Sequence, residues 1–405
     1  MKRFNRIQIS KRVILDRNIV LLVLLVSLSL LLSVLRYPLE PVIDDYRQYA
    51  KVIINFIKNP NSTNFQAISD IRPSIRNRPV YPLFIAILTL LSPFPLLITP
   101  IIVSVLSILF SMVYIYRICK TLDYSRDQSF KVLFLFISCS AVTINFVRPI
   151  TDNLGLLLSL MAVLYYSRYL ESKQLRFLFY TYILAILALL TRELYLSLFL
   201  AFLLFPTKSF SRIKRVLCFF LFPLLILILI DLLFPFSHIL DLFSQATFYW
   251  TPGEPFMPSL REFLVAKIGK WRYTYTWAKL FESLIYSIFI PLVLVRKELI
   301  SRFKTNLFVF WGLIYSITLL LLNGPIFLGR LWLAVTYIVF LWVPYRANSP
   351  ITYSTRQDVK VSDLKIVLLI IIGFAITLIR LIFFVFNWWS DFRGYELEVP
   401  PRILK

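Results

Sequence analysis

The chain has 405 residues, of which 59% are hydrophobic and 16% are charged, and its formal net charge is +23. A soluble domain cannot cover its surface with so few polar residues, so we expect lipid to surround most of the chain. The cations lie largely in short loops between apolar runs, which favours cytoplasmic loops over nucleic-acid binding. The single histidine, His238, excludes a multi-histidine metal site, and the spacing of the three cysteines indicates neither a disulfide framework nor a metal cluster.

Six basic segments predict the topology, because cytoplasmic loops carry an excess of Lys and Arg. They hold more than half of the 44 Lys and Arg residues and lie at 1–18, 117–131, 168–176, 207–215, 296–304 and 345–365. Placing them inside predicts an all-α polytopic membrane protein with eleven transmembrane helices, a cytoplasmic N-terminus and one membrane domain over residues 1–405. The predicted spans lie at 19–35, 97–116, 131–147, 150–168, 176–191, 194–206, 215–234, 276–295, 306–323, 327–344 and 364–387.

The first extracytoplasmic loop, residues 36–96, is long and is predicted to carry two juxtamembrane helices. It follows a first span that we expect to be retained, since no small-residue cleavage site is present. In the first juxtamembrane helix, apolar residues recur at steps of three and four opposite polar ones, which predicts an amphipathic helix lying on the membrane surface. The apolar positions are Ile43, Tyr46, Ala50, Ile53 and Ile57.

Two adjacent carboxylates, Asp44 and Asp45, stand at the start of this helix. One of them is equally well explained as an N-cap that binds free backbone N–H groups. The second is harder to explain in that way because the two charges repel each other. It could act as a base or hold a cation.

The apolar stretch from Val80 to Leu91 is predicted to be a membrane-embedded half helix. It is shorter than the ~17 residues that a transmembrane helix needs. Counting it as a span would also place every later basic loop outside the cell.

Further charged residues lie next to the outer ends of later spans, which indicates a shared cavity open to the outside. Arg148 and Asp152 flank a tight turn, and pairing with each other is one explanation. Arg192 and Glu193 could form a similar local pair. Arg330 has no carboxylate near it in sequence, so it either binds an anionic ligand or reaches to the lipid head groups.

The second long extracytoplasmic loop, residues 235–275, contains a weaker amphipathic stretch that is also predicted to lie at the interface. Its apolar positions are Leu260, Leu264, Ile268 and Trp271. The C-terminal tail, residues 388–405, is predicted to be extracytoplasmic.

This layout resembles the C-class (GT-C) glycosyltransferases, which are membrane enzymes that transfer a sugar from a polyprenyl-phosphate carrier on the extracytoplasmic or lumenal side. Members carry an acidic pair shortly after the first span, a proline-tyrosine motif before a second juxtamembrane helix, a polar turn ending in Thr-Asp, and an arginine near a late outer loop. The corresponding residues are Asp44-Asp45, Arg78-Pro79-Val80-Tyr81-Pro82, the turn from Val147 to Asp152, and Arg330.

The resemblance implies an inverting hexosyl- or pentosyltransferase of the cell envelope. Asp44 or Asp45 would be the general base, and the donor phosphate would meet Arg330 and Arg192. Substrate would be bound by Asp152, Arg78, Tyr81 and Arg148. The expected partners are a polyprenyl-phosphate-linked sugar, a glycan, lipid or protein acceptor and membrane lipids. No cofactor is expected, although the acidic pair could hold a divalent metal.

Two other function classes remain open on the sequence. A transporter or flippase for a lipid-linked sugar, or for another anionic amphiphile, would use the same outer cations without a base. It predicts polar residues through the midplane and broken helices in inverted repeats, and few such features are visible. A polymerase or ligase of surface polysaccharide expects large outer loops rich in Arg and His.

Overall fold

The computed structural model describes residues 16–36, 45–71, 76–206, 211–233, 307–323, 366–379 and 381–382. Within these ranges the chain is helical apart from short turns, and they include no strand, as the composition predicts. Several predicted segments lie outside the described residues: the spans at 276–295 and 327–344, the loop at 235–275 and the tail at 388–405.

Helix α1 (Arg17–Arg36) coincides with the first predicted span. Its neighbours are α6 (Arg126–Ser138) and α7 (Ser140–Asn145). Many of its large apolar side chains point outward, with Leu24 61% exposed, whereas Ser29 and Ser33 are buried. An apolar outer surface with polar groups turned inward is the arrangement that a lipid environment favours.

Helix α2 (Asp45–Lys58) has the predicted amphipathic pattern and is followed by α3 (Ser62–Ser69). Its buried face is formed by Tyr46, Tyr49, Ala50, Ile53 and Ile54. This face packs against α4 (Val80–Leu91), so a neighbouring helix covers it where the sequence predicted the membrane surface. Ile57, which the pattern placed on the same face, is 48% exposed.

Helix α4 has the bounds predicted for the half helix. It begins after Pro79 and ends at Ser92, where two nearby prolines, Pro93 and Pro95, prevent its continuation. One face is buried against α2 and α5 (Thr99–Thr121), while the other exposes apolar side chains. With 12 residues it is too short to cross a hydrocarbon core of ~30 Å.

Helices α5, α8 (Thr151–Ser172) and α9 (Leu175–Thr191) form the centre of the described bundle, with α8 packed against both of the others. Small buried residues on α5 recur at helical spacing, which allows close approach of a neighbouring helix. They are Ser104, Ser107 and Ser111. Helix α8 ends at Lys173, whose φ of 59° reverses the chain into the antiparallel α9.

Helices α6 and α7 replace the single span predicted at 131–147. The helix is interrupted at Cys139, which has an extended backbone with φ −61° and ψ 131°. Two hydroxyls donate to the carbonyl oxygen of Ile137 beside this interruption, Ser29 Oγ of α1 at 2.9 Å and Thr143 Oγ1 at 3.0 Å. Irregular backbone at membrane depth needs such partners because no water is available to supply them.

Ser33 of α1 supports the end of α7 in the same way. Its Oγ accepts from the N–H of Val147 at 3.1 Å and donates to the carbonyl of Ile144 at 3.4 Å. A further helix, α14 (Ile366–Ile379), approaches the interruption closely. A Cβ on Gly373 would overlap the carbonyl oxygen of Ser138 and lie 3.0 Å from its carbonyl carbon.

The remaining described helices continue the bundle. Helix α10 (Leu196–Leu204) packs against α13 (Leu307–Asn323). Helix α11 (Arg212–Val216) runs through a π turn (Leu217–Leu221) into α12 (Phe222–Leu233). Within the π turn, the carbonyl of Cys218 accepts from Tyr182 Oη at 2.7 Å.

Three described helical segments are long and apolar enough to cross a membrane: Arg17–Leu35, Thr99–Thr121 and Ile213–Leu233. Shorter apolar helices are Val80–Leu91, Leu175–Thr191, Leu307–Thr318 and Ile366–Ile379. These segments agree with a polytopic membrane protein. The number of eleven spans stays a prediction.

Candidate functional site

The predicted site residues fall into two groups. Asp44 and Arg330 lie outside the described residues, and Asp45 is the first residue of α2. The others lie where helices α4 and α8 begin and α9 ends, and contacts connect them or their neighbours at one end of the bundle. These residues are Arg78, Tyr81, Arg148, Asp152 and Arg192.

Arg78 and Tyr81 are joined through Tyr46 of α2. Nη1 of Arg78 donates to Tyr46 Oη at 3.3 Å, and the rings of Tyr46 and Tyr81 meet edge to face with centroids 5.5 Å apart. Arg78 is partly exposed, whereas Tyr81 is fully buried. The Tyr81 hydroxyl lies 3.3 Å from both Pro100 O and Ser104 Oγ of α5. This burial favours a role for Tyr81 in holding three helices together over direct stacking on a sugar.

Ser104 connects α5 to the turn between α7 and α8. Its Oγ donates to the carbonyl oxygen of Arg148 at 2.7 Å, and the turn is closed by a bond from the N–H of Ile150 to the same carbonyl at 2.8 Å. The side chain of Arg148 is partly exposed. Helix α5 therefore fixes the backbone from which this guanidinium projects.

Asp152 and Arg192 form a buried ion pair. Nη1 of Arg192 lies 2.6 Å from Oδ1 of Asp152, and the two side chains are 8% and 4% exposed, respectively. The antiparallel arrangement of α8 and α9 brings the start of one beside the end of the other. Local partners, Arg148 for Asp152 and Glu193 for Arg192, were suggested by sequence, whereas the ion pair observed joins residues 40 positions apart.

Tyr195 lies directly against this ion pair. Its hydroxyl donates to the carbonyl oxygen of Asp152 at 3.3 Å, and its ring covers Gly155 on the next turn of α8. A Cβ on Gly155 would overlap the Tyr195 ring at Cε2 and lie 2.8 Å from Cζ. The aromatic ring fits in this place because residue 155 is a glycine.

Two buried asparagines hold the corner between α7 and α8. Nδ2 of Asn153 donates to the carbonyl of Asn145 at 2.7 Å, and Nδ2 of Asn145 donates to the carbonyl of Ala141 at 2.7 Å. Asn153 follows Asp152 directly, so these bonds also fix the backbone that presents the carboxylate.

The segment leading to Arg78 is tied to α2 and α3. The Tyr49 hydroxyl donates to the carbonyl of Arg76 at 3.0 Å, and Nη1 of Arg76 donates to the carbonyl of Ser69. Burial raises the pKa of Tyr49 above its usual value, and the nearby charge of Arg76 opposes this rise in part. The hydroxyl is therefore protonated at physiological pH and stays a donor.

The guanidinium groups at this end of the bundle are suited to binding an anion. Asp152 and Arg192 compensate each other, while the partly exposed Arg78 and Arg148 add positive charge near the surface. A guanidinium binds phosphate oxygens through several fixed donors. Among the residues that the structure describes, no group of three or more His, Cys, Asp or Glu side chains could hold a metal ion.

Three contributors to this site were missed from the sequence. Ser104, Gly155 and Tyr195 carry no charge, and each lies in an apolar run, so composition gives little reason to select them. A weak signal exists for Gly155, since an isolated glycine inside a helical pattern often marks close packing. Ser104 shares its helical spacing with other buried serines and is therefore visible as part of a small-residue stripe.

Residues 72–234 match the model of the dolichyl-phosphate-mannose-protein mannosyltransferase family, a GT-C type membrane glycosyltransferase family. The resemblance drawn from the sequence is thereby confirmed for this segment, and the match indicates a glycosyltransferase that uses a polyprenyl-phosphate sugar. Together with the apolar helices, it also indicates an integral membrane protein. No match is found among curated proteins.

Proposed function

We propose that this protein transfers a sugar from a polyprenyl-phosphate carrier to an acceptor hydroxyl on the extracytoplasmic side, with inversion at the anomeric carbon. The acceptor is a glycan, a lipid or a protein. Asp44 or Asp45 serves as the general base.

One observation carries this proposal. The segment that matches the family model, residues 72–234, contains Arg78, Tyr81, Arg148, Asp152 and Arg192. These residues come from distant positions, yet hydrogen bonds, ring contacts and an ion pair connect them or their immediate neighbours at one end of the bundle. A buried ion pair beside partly exposed guanidinium groups suits a site that receives an anionic leaving group.

In the proposed reaction, a carboxylate of the acidic pair accepts the proton of the acceptor hydroxyl as its oxygen attacks the anomeric carbon. The bond to the carrier phosphate breaks on the opposite face of the sugar, and the phosphate departs as an anion without needing a proton. Arg330 and Arg192 stabilise its charge, assisted by Arg148. Asp152 fixes the Arg192 guanidinium through the ion pair and orients substrate hydroxyls.

The position of Asp45 at the start of α2 supports its proposed role as the general base. Helix α2 packs on α4, and Tyr46, the next residue, contacts both Arg78 and Tyr81. The backbone of Asp45 is thus held close to Arg78, which is proposed to bind substrate.

Single substitutions Asp44→Asn and Asp45→Asn test the proposal, measured as sugar transfer from a polyprenyl-phosphate sugar in membranes. Loss of the general base is expected to lower the rate by about 10²- to 10⁴-fold in one of the two variants. Asp70→Asn is a matched control, because Asp70 is an exposed carboxylate at the end of α3 in the same loop. Full activity in both variants would exclude the acidic pair as the base.

A further inference from the structure

The Asp152–Arg192 ion pair is contacted on both partners by one residue. Tyr195 ends the 3-10 turn Glu193–Tyr195, and its N–H donates to the carbonyl of Arg192 at 3.1 Å. Its hydroxyl reaches across to the carbonyl of Asp152 at 3.3 Å. Tyr195 is 1% exposed, so its ring is held by protein on all sides.

The Tyr195 ring occupies space on α8 that is open because residue 155 is a glycine. Gly155 lies three residues after Asp152, hence on the same side of the helix. Because a Cβ there would overlap the ring, any other residue at position 155 forces Tyr195 to move. Movement of Tyr195 also moves the turn that begins at Arg192.

Helix α13 also contacts the Tyr195 ring. The rings of Tyr195 and Tyr315 have centroids 5.9 Å apart, and Trp311, one turn earlier on α13, donates from Nε1 to Ser197 Oγ at 3.3 Å. Helix α13 follows the segment that matches the family model. A later part of the chain therefore braces the ion pair through Tyr195.

We propose that Tyr195, seated on Gly155 and backed by Tyr315, is a positioning residue that keeps the Arg192 guanidinium in place for the donor phosphate. The proposal rests on the proposed function for its substrate, but its structural part concerns the ion pair alone. It assigns no chemical step to Tyr195, which acts through Arg192 and Asp152.

Double-mutant cycles test the two parts separately. In the first, Gly155→Ala is made in the wild-type and in the Tyr195→Leu background, and KM for the polyprenyl-phosphate sugar is measured apart from kcat. In wild type, the substitution is expected to raise KM about tenfold because a small displacement of the binding group weakens the donor complex. In the Tyr195→Leu background, where the ring is absent, it is expected to change KM less than about twofold.

The second cycle does not depend on activity. Tyr195→Leu and Asp152→Asn are combined, and the midpoint of thermal unfolding is measured for the full-length protein in detergent. If Tyr195 holds the ion pair, its replacement lowers the midpoint less after Asp152 has been neutralised. Additive losses in this cycle would overturn the proposal whether or not transfer is detected, whereas a wild-type protein that transfers no sugar contradicts the proposed function instead.

If the Gly155→Ala variant does not fold, Tyr195→Phe tests the same proposal. It removes only the hydroxyl, and KM is expected to rise about two- to tenfold. Tyr166→Phe is its control, since Tyr166 is an equally buried tyrosine on α8 about 20 Å along the helix from Asp152. Equal effects of the two substitutions on KM would contradict a specific role for Tyr195.

Discussion

At the residue scale, the strongest expectation concerns the burial of the Asp152–Arg192 ion pair. Replacing Arg192 alone by methionine removes the guanidinium from beside a carboxylate whose side chain is 4% exposed. Unfolding free energy is expected to fall by about 3–5 kcal/mol. Combining Arg192→Met with Asp152→Leu should recover much of this loss because both charges are then removed.

The unfolding free energy of each purified variant is measured in detergent. A second ion pair in the chain serves as a matched control. Arg126 and Asp16 form an ion pair whose side chains are 56% and 28% exposed. Arg126→Met is expected to cost no more than about 1 kcal/mol, since solvent screens an exposed pair. A double variant of the buried pair that is less stable than Arg192→Met would show that Asp152 stabilises the fold without Arg192, and would contradict the expected cost of burying this carboxylate without the guanidinium.

The hydroxyl of Tyr166 gives a second expectation at this scale. It is buried within an aromatic cluster with Phe202 and Phe219 and has no hydrogen-bond partner among the described residues. Burying such a group without a bond is unfavourable. Tyr166→Phe should therefore leave the unfolding midpoint unchanged or raise it, and a clear decrease would show that the hydroxyl has a partner.

At the scale of elements, the interrupted helix α6–α7 depends on α1. Ser33→Ala removes both the acceptor of the Val147 N–H and the donor to the carbonyl of Ile144. We expect a loss of about 1–3 kcal/mol of unfolding free energy, since buried backbone groups lose a partner. Ser172→Ala is the control, because the exposed Ser172 hydroxyl bonds only to its own helix end and to the adjacent turn at Gln174, where water can replace it, so its loss should be small. Equal effects of the two substitutions would contradict the dependence.

Helices α4, α6 and α7 show what sequence patterns predict and what they miss. The half helix α4 was predicted with correct bounds because prolines flank a short apolar run on both sides. The interruption at Cys139 was missed because the residues around it are uniformly apolar or small, and because one of the two hydroxyls that bond beside it, that of Ser29, lies on α1. Its cause is a contact between distant segments, which periodicity within one segment does not record.

At the scale of the whole molecule, the position of α4 decides the topology, and labelling of single cysteines tests it. After the three native cysteines have been replaced, cysteines are introduced at Asn61, Phe94 and Ser172 and treated with a membrane-impermeant maleimide in intact cells. Positions 61 and 94 should react from outside, and position 172 only after permeabilisation. A cysteine at position 94 that reacts only after permeabilisation would mean that α4 crosses the membrane and that the predicted eleven spans are wrong.

Much of the candidate site followed from charges placed beside apolar runs. The sequence selected Arg78, Arg148, Asp152 and Arg192 because a charged group at the end of a span is costly to bury in lipid and is usually kept facing a cavity or a partner. It did not select Arg192 as a partner of Asp152, since pairing across two helices depends on how α8 and α9 pack. The uncharged supports of the site were missed for the same reason, and Tyr195 is the clearest of them.

The hydrogen bonds from Ser29 and Ser33 of α1 to the interrupted helix have a consequence for the order in which the chain folds during synthesis. Ser29 and Ser33 meet their partners on residues 108 and 111 positions later in the chain. Because synthesis proceeds from the N-terminus, α1 is made before α6 and α7, and these hydroxyls gain their partners only when the later helices follow. Helix α1 thus precedes the helices that it supports, and a nascent chain that lacks α1 would have to fold α6 and α7 without these hydroxyls.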